Sequence, residues 1–142
     1  MRRLLPSASR RARRGVAAVE FAVLLPFLCF AFVVTVDFCR VFYYSITVSN
    51  CARNGALYGS ADGAHALDTS GIRAAAEKDA SSLDLQKLNV ASSTNGSGVP
   101  TYVDVTVTYP FTTITRYPGV AGEMILRRTV RMQVVPATPT FN

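Results

Sequence analysis

The carboxylate of Glu20 stands five residues after Gly15 and directly before Phe21, in RRGVAAVEF (Arg13–Phe21), a stretch that otherwise reads as the start of a membrane helix. A charge near the middle of such a segment is expensive even on lenient insertion scales, so it usually has a partner or a task. Glu20 lies toward one edge, where the cost falls. Reaching the lipid headgroups, or pairing with Arg13 or Arg14, would satisfy it. Neither reading explains the whole arrangement of basic arm, glycine, four small or branched apolar residues, an acid, an aromatic and then a long apolar run.

Other reactive side chains form no recognisable constellation. The one histidine, His65, sits in an Ala/Gly/Asp segment and is expected to be an exposed loop residue. Cys29 falls in the apolar run. If one helix carries both Cys39 and Cys51, they lie about 18 Å apart along its axis, far beyond the ~7 Å that a disulfide spans between Cα atoms. They read as small fillers of a packed helix, with an intermolecular bridge as the alternative. Asp68, Glu77, Asp79 and Asp84, beside Lys78 and Lys87, read as a solvated face. No metal-ligand spacing, phosphate loop, dinucleotide fingerprint or nucleophile elbow is present, so neither an enzyme nor a cofactor or metal is expected.

The elements that carry these residues follow from apolar patterning. From Phe21 to Val36 the chain is uncharged, and with Val16–Glu20 the span reaches 21 residues. At about 1.5 Å per residue it crosses roughly 31 Å, the hydrocarbon thickness of a bilayer. The net charge of +6 is local: six arginines precede Gly15, and fifteen basic residues less these six leaves nine, against nine acids. A basic arm abutting an apolar span is a topology determinant that stays in the cytoplasm, with the remainder across the membrane. No nucleic-acid partner is expected. An ordinary secretory signal would have a shorter apolar region, and Leu28 before Cys29 does not suit a lipoprotein site.

Three segments are therefore expected: a basic leader over 1–15, a transmembrane helix over 16–36, and an extracytoplasmic α+β head over 37–142. Residues 1–14 show no apolar periodicity and read as disordered or surface-bound. One helix is predicted from about Val16 to about Tyr58, amphipathic in its second half, with stop signals at Gly59 and Asp62-Gly63. A second helix is predicted over Ser70–Ser82, capped by Thr69 or Ser70, with Ile72, Ala75, Ala76, Ala80 and Leu83 on one side. A short strand is expected at Leu88–Ala91 and a turn at Ser92–Pro100. The clearest strand is Thr101–Tyr109, ended by Pro110. Residues Glu123–Val135 alternate again, with Arg128 breaking the apolar side. Two or three strands with one oily face need cover, and the amphipathic half of the long helix supplies it. Tyr43, Tyr44, Arg116 and Tyr117 are surface candidates for contact with neighbours.

From Gly15 onward the chain resembles the type IV pilin group, and more closely the TadE-like minor pseudopilins of the tight-adherence (Flp, type IVb) pilus system. Besides Gly15-Val16 and Glu20-Phe21, the resemblance rests on Asp37-Phe38-Cys39-Arg40, on Asn50–Tyr58 (NCARNGALY), and more loosely on Val105–Phe111. It implies a pilin-like fold and a precursor in the bacterial cytoplasmic membrane. It also implies cleavage by a membrane-embedded aspartyl prepilin peptidase between Gly15 and Val16, with Glu20 and Phe21 as the fifth and sixth mature residues. The implied partners are that peptidase, other pilin or pseudopilin subunits and pilus assembly proteins, in adhesion or secretion. Gly15 offers the protease a backbone without a Cβ. Cleavage removes all six arginines and creates an amino group on Val16 that Glu20 of a neighbour can pair with in a bundle, favouring one axial register. Cys39 and Cys51 replace small residues of the family pattern, and Asn54 and Leu57 replace charged ones. The alternative is an uncleaved single-pass protein whose outer head binds a ligand or partner.

Overall fold

The structure, a computed structural model, describes residues 9–95, 100–114 and 122–136, with side chains from Gly15 onward. The chain divides between Phe38 and Cys39 into two compact units. Arg116 and Tyr117, part of the predicted Ser92–Pro100 turn and residues 1–8 lie outside the described residues.

Helix α1, Ser9–Gly59, runs through both units. It begins seven residues before the predicted start, so the basic arm from Ser9 is helical, in keeping with the high helix propensity of arginine and alanine. Within the N-terminal unit, every residue from Gly15 to Phe30 is exposed. Pro26 lies inside the helix and has no N–H to give the Ala22 carbonyl. Further along, the Thr35 hydroxyl donates to the Ala31 carbonyl at 2.8 Å, so this polar group is satisfied within the helix.

The C-terminal unit is α+β. After α1 come α2 (Gly63–Leu67), α3 (Thr69–Glu77), and strands β1 (Asn89–Thr94), β2 (Tyr102–Thr112) and β3 (Glu123–Gln133). The strands form one antiparallel sheet in the order β1-β2-β3. Val103, Val105, Val107, Tyr109 and Phe111 of β2 are buried and alternate with partly or fully exposed residues. They pack toward the face of α1 that carries Val48, Cys51, Ala52 and Ala56. Two glycines set this close approach. A Cβ on Gly55 would lie 3.1 Å from Val105 Cγ1 and 3.3 Å from the Ile72 carbonyl oxygen, and one on Gly59 would lie 3.1 Å from both Val103 Cγ2 and Ile72 Cδ1.

Several boundaries differ from expectation. β2 continues through Pro110 to Thr112 because β1 pairs only as far as Thr108; beyond it β2 has a neighbour on one side, where a residue without an N–H is tolerated. Helix α3 starts at Thr69 with Asp68 as its cap, one residue before the predicted Thr69 or Ser70, and it ends at Glu77. The rest of the predicted helix is a pair of tight turns, Ala80 N–H to Glu77 and Leu83 N–H to Ala80, in a stretch where Asp79, Ser81 and Ser82 favour turns. Ala80 and Leu83 are buried there all the same.

Candidate functional site

Gly15, Val16, Glu20 and Phe21 all lie on α1 in the N-terminal unit, helical and exposed. Nothing stands within 4 Å of the position a Cβ would take on Gly15, so the backbone there is open to an approaching molecule. Val16 and Phe21 expose well over half their surface. Glu20 sits four residues, about one turn, after Val16. Among the described side chains none pairs with its carboxylate; the expected pairing with Arg13 or Arg14 falls on side chains outside those described. The apolar surface around it is uncovered by the protein, and α1 is long and apolar enough to cross a membrane.

Of the later motif residues, Asp37 and Phe38 close the N-terminal unit and those from Cys39 onward belong to the C-terminal unit. Phe38 and Cys39 are exposed, Asp37 is buried, and the Arg40 guanidinium lies 5.1 Å from the centre of the Phe111 ring. Tyr44, half-buried, stacks on Tyr109 at 5.8 Å and meets Phe111 at 5.3 Å, so it is a packing residue, whereas Tyr43 is exposed. Asn54 donates to Asp79 at 2.6 Å, tying α1 to the turn after α3. Cys51 is fully buried, and burial, with Asp79 adding to it, pushes its thiol above the ordinary range, which suppresses the thiolate.

A second cluster was not legible as such in the sequence. The Asp62 carboxylate caps α2 by accepting from the N–H groups of Ala64 and His65, and its other oxygen lies 2.8 Å from His65 Nδ1. His65 is thus a helical, half-buried residue and not the expected exposed loop residue; its ring meets Tyr58 edge-on at 4.8 Å. Asp68 accepts from the Ser70 hydroxyl at 2.6 Å, the Gly71 N–H at 2.9 Å and the Tyr58 hydroxyl at 2.9 Å. These donors lower its carboxyl to about 2. The same contact, first among its causes, raises the Tyr58 hydroxyl. Ser70 is turned to Asp68 and His65 to Asp62, so the arrangement clamps two helix starts onto α1. Asp directly before the helix it caps was the available signal, but Asp62-Gly63 served equally well as a stop.

The segment holding the candidate site can now be placed among known proteins. Residues 15–57 match the family model of TadE-like proteins. No curated protein and no solved structure matches the chain. The TadE-like segment opens on Gly15, takes in Glu20 and Phe21, and closes on Leu57, two residues before α1 ends. It therefore covers the exposed apolar helix and the part of α1 that packs on the sheet. Over residues 15–57 the chain is similar to TadE-like proteins, and the helix in that segment is long and apolar enough to cross a membrane.

Proposed function

We propose that this TadE-like chain is a minor pilin-like subunit, a pseudopilin, that helps assemble or anchor a tight-adherence pilus or a related secretion apparatus after a prepilin peptidase cuts between Gly15 and Val16. The observation that carries this reading is the family match beginning on Gly15, at a helical position whose backbone is open. In this reading the arm lies in the cytoplasm, the helix spans the cytoplasmic membrane and the C-terminal unit lies outside. The working parts are a backbone to be cut, a carboxylate and a packing surface, and the protein is not an enzyme.

Glu20 then acts in assembly. An unpaired carboxylate in apolar surroundings is costly, and the new amino group of Val16 on a neighbouring chain supplies its counter-charge one helical turn from the position of its own Val16. Glu20→Leu removes the carboxylate without shortening the apolar span. The expected result is a variant that is trimmed and inserted normally but no longer co-isolates with other pilus subunits after cross-linking, while Glu20→Asp retains part of that association. Full association of Glu20→Leu would contradict the role.

A further inference from the structure

One end of the C-terminal unit combines exposed apolar and basic side chains. Gly59 and Gly55 face Val103 and Val105, whereas Tyr44 and Arg40 meet Phe111, so β2 runs opposite to α1. The β2–β3 hairpin, still joined by the Thr113 N–H to the Gly122 carbonyl, is therefore at the Cys39 end of the unit. Ile114 is 65% exposed there and Ile125 71% exposed. Phe42, Tyr43 and Met124 add further uncovered apolar surface.

The charge of this end points to the occupant. Among the described residues at this end of the hairpin, Arg127 and Arg128 stand against one acid, Glu123. Asp84, whose N–H reaches the Tyr109 hydroxyl, is offset by Lys87 at 3.8 Å. Asp62 and Asp68 cluster instead with Tyr58, at the opposite end of this part of α1. Cys39 follows Val36, the last residue of the apolar span, by three positions in the chain. Aromatic rings at headgroup level, arginines reaching phosphates and apolar side chains at the acyl boundary are what a bilayer interface selects.

We propose that this end of the C-terminal unit, through Phe42, Tyr43, Ile114, Met124, Ile125 and Arg127, docks on the headgroup layer of an anionic lipid bilayer. It rests on residues 16–36 crossing the membrane and is independent of cleavage. Docking holds the subunit on the lipid surface until assembly draws it away, and it keeps the apolar hairpin from aggregating.

The chain contains no tryptophan, so single reporters are clean. The full chain carrying Ile125→Trp, Leu67→Trp or Leu28→Trp is reconstituted in vesicles of phosphatidylethanolamine and phosphatidylglycerol, or of phosphatidylcholine alone, and quenched with brominated lipid. The expected result is quenching of Leu28→Trp in both, of Ile125→Trp selectively in the anionic vesicles, and of Leu67→Trp in neither. Adding Arg127→Gln to Ile125→Trp lowers the lipid-contacting population about fivefold, the weight of one basic side chain at an anionic surface, and high salt acts in the same direction. Unquenched Ile125→Trp alongside quenched Leu28→Trp overturns the docking but leaves the membrane span intact. Equal quenching of Ile125→Trp in both lipids overturns it by removing the charge. A blue-shifted Ile125→Trp without lipid quenching, reversed on dilution, overturns it in favour of a second copy. Unquenched Leu28→Trp overturns the span itself and the docking with it.

Discussion

At the Asp68 carboxylate three donors, from Ser70, Gly71 and Tyr58, converge on one side chain. Each favours the charged form, so the folded carboxyl titrates at about 2 against an ordinary value of 3.8. Between those values the unfolded chain binds a proton that the folded chain does not, so stability is fully present above the ordinary value and is lost as pH falls toward about 2. Asp68→Asn is therefore expected to lower the melting temperature of the C-terminal unit at neutral pH and to flatten its decline across that acid window, measured by circular dichroism of the full chain in detergent. An unchanged acid profile would contradict the assignment. Asp62, lowered chiefly by the His65 N–H, supplies a residual slope. Glu20 differs in kind: the role proposed for it needs a second chain, and within the single chain it is exposed.

Among the elements, α3 is held by one side chain above all. Ile72 is fully buried and lines the space against Gly55 and Gly59 of α1 and Val103 of β2. Ile72→Ala is expected to cost about 2–5 kcal/mol by deleting buried apolar volume at a site glycines have already brought close, read as a shift of the denaturation midpoint. A cost below about 1 kcal/mol would show that α3 is not part of the cooperative core. The sheet was largely legible, because Val103, Val105 and Val107 announce a period of two and the Met124-to-Val134 alternation places β3. Arg128 was legible as an interruption, and its reason is tertiary: it occupies the inner-facing position opposite Val107, and its guanidinium donates to Ser45 Oγ on α1 at 3.1 Å. On the outer face, Arg131 grips Asp104 through two bonds of 2.7 and 2.6 Å, a pair that register alone brings together. Helix α2 was not legible, since five residues cannot display a helical period and its cap looked like a stop. The helical start at Ser9 was hidden because the arm lacks apolar periodicity.

For the whole molecule, an uncovered apolar helix and a packed α+β unit share one long helix, and the TadE-like match spans the join. The Gly15-to-Phe21 motif is visible as residue types at fixed spacing, and the task proposed for it, cutting and pairing, would involve other proteins. An ordinary anchor has no need of an open glycine followed five residues later by an acid and an aromatic. The most direct measurement is the N-terminus of the membrane-bound protein, by intact mass and terminal sequencing, in cells with and without a prepilin peptidase and with Gly15→Leu. The predicted result is a chain starting at Val16 only when the peptidase and Gly15 are both present. A chain starting near Met1 under every condition would contradict it and leave an uncleaved membrane-anchored binding protein.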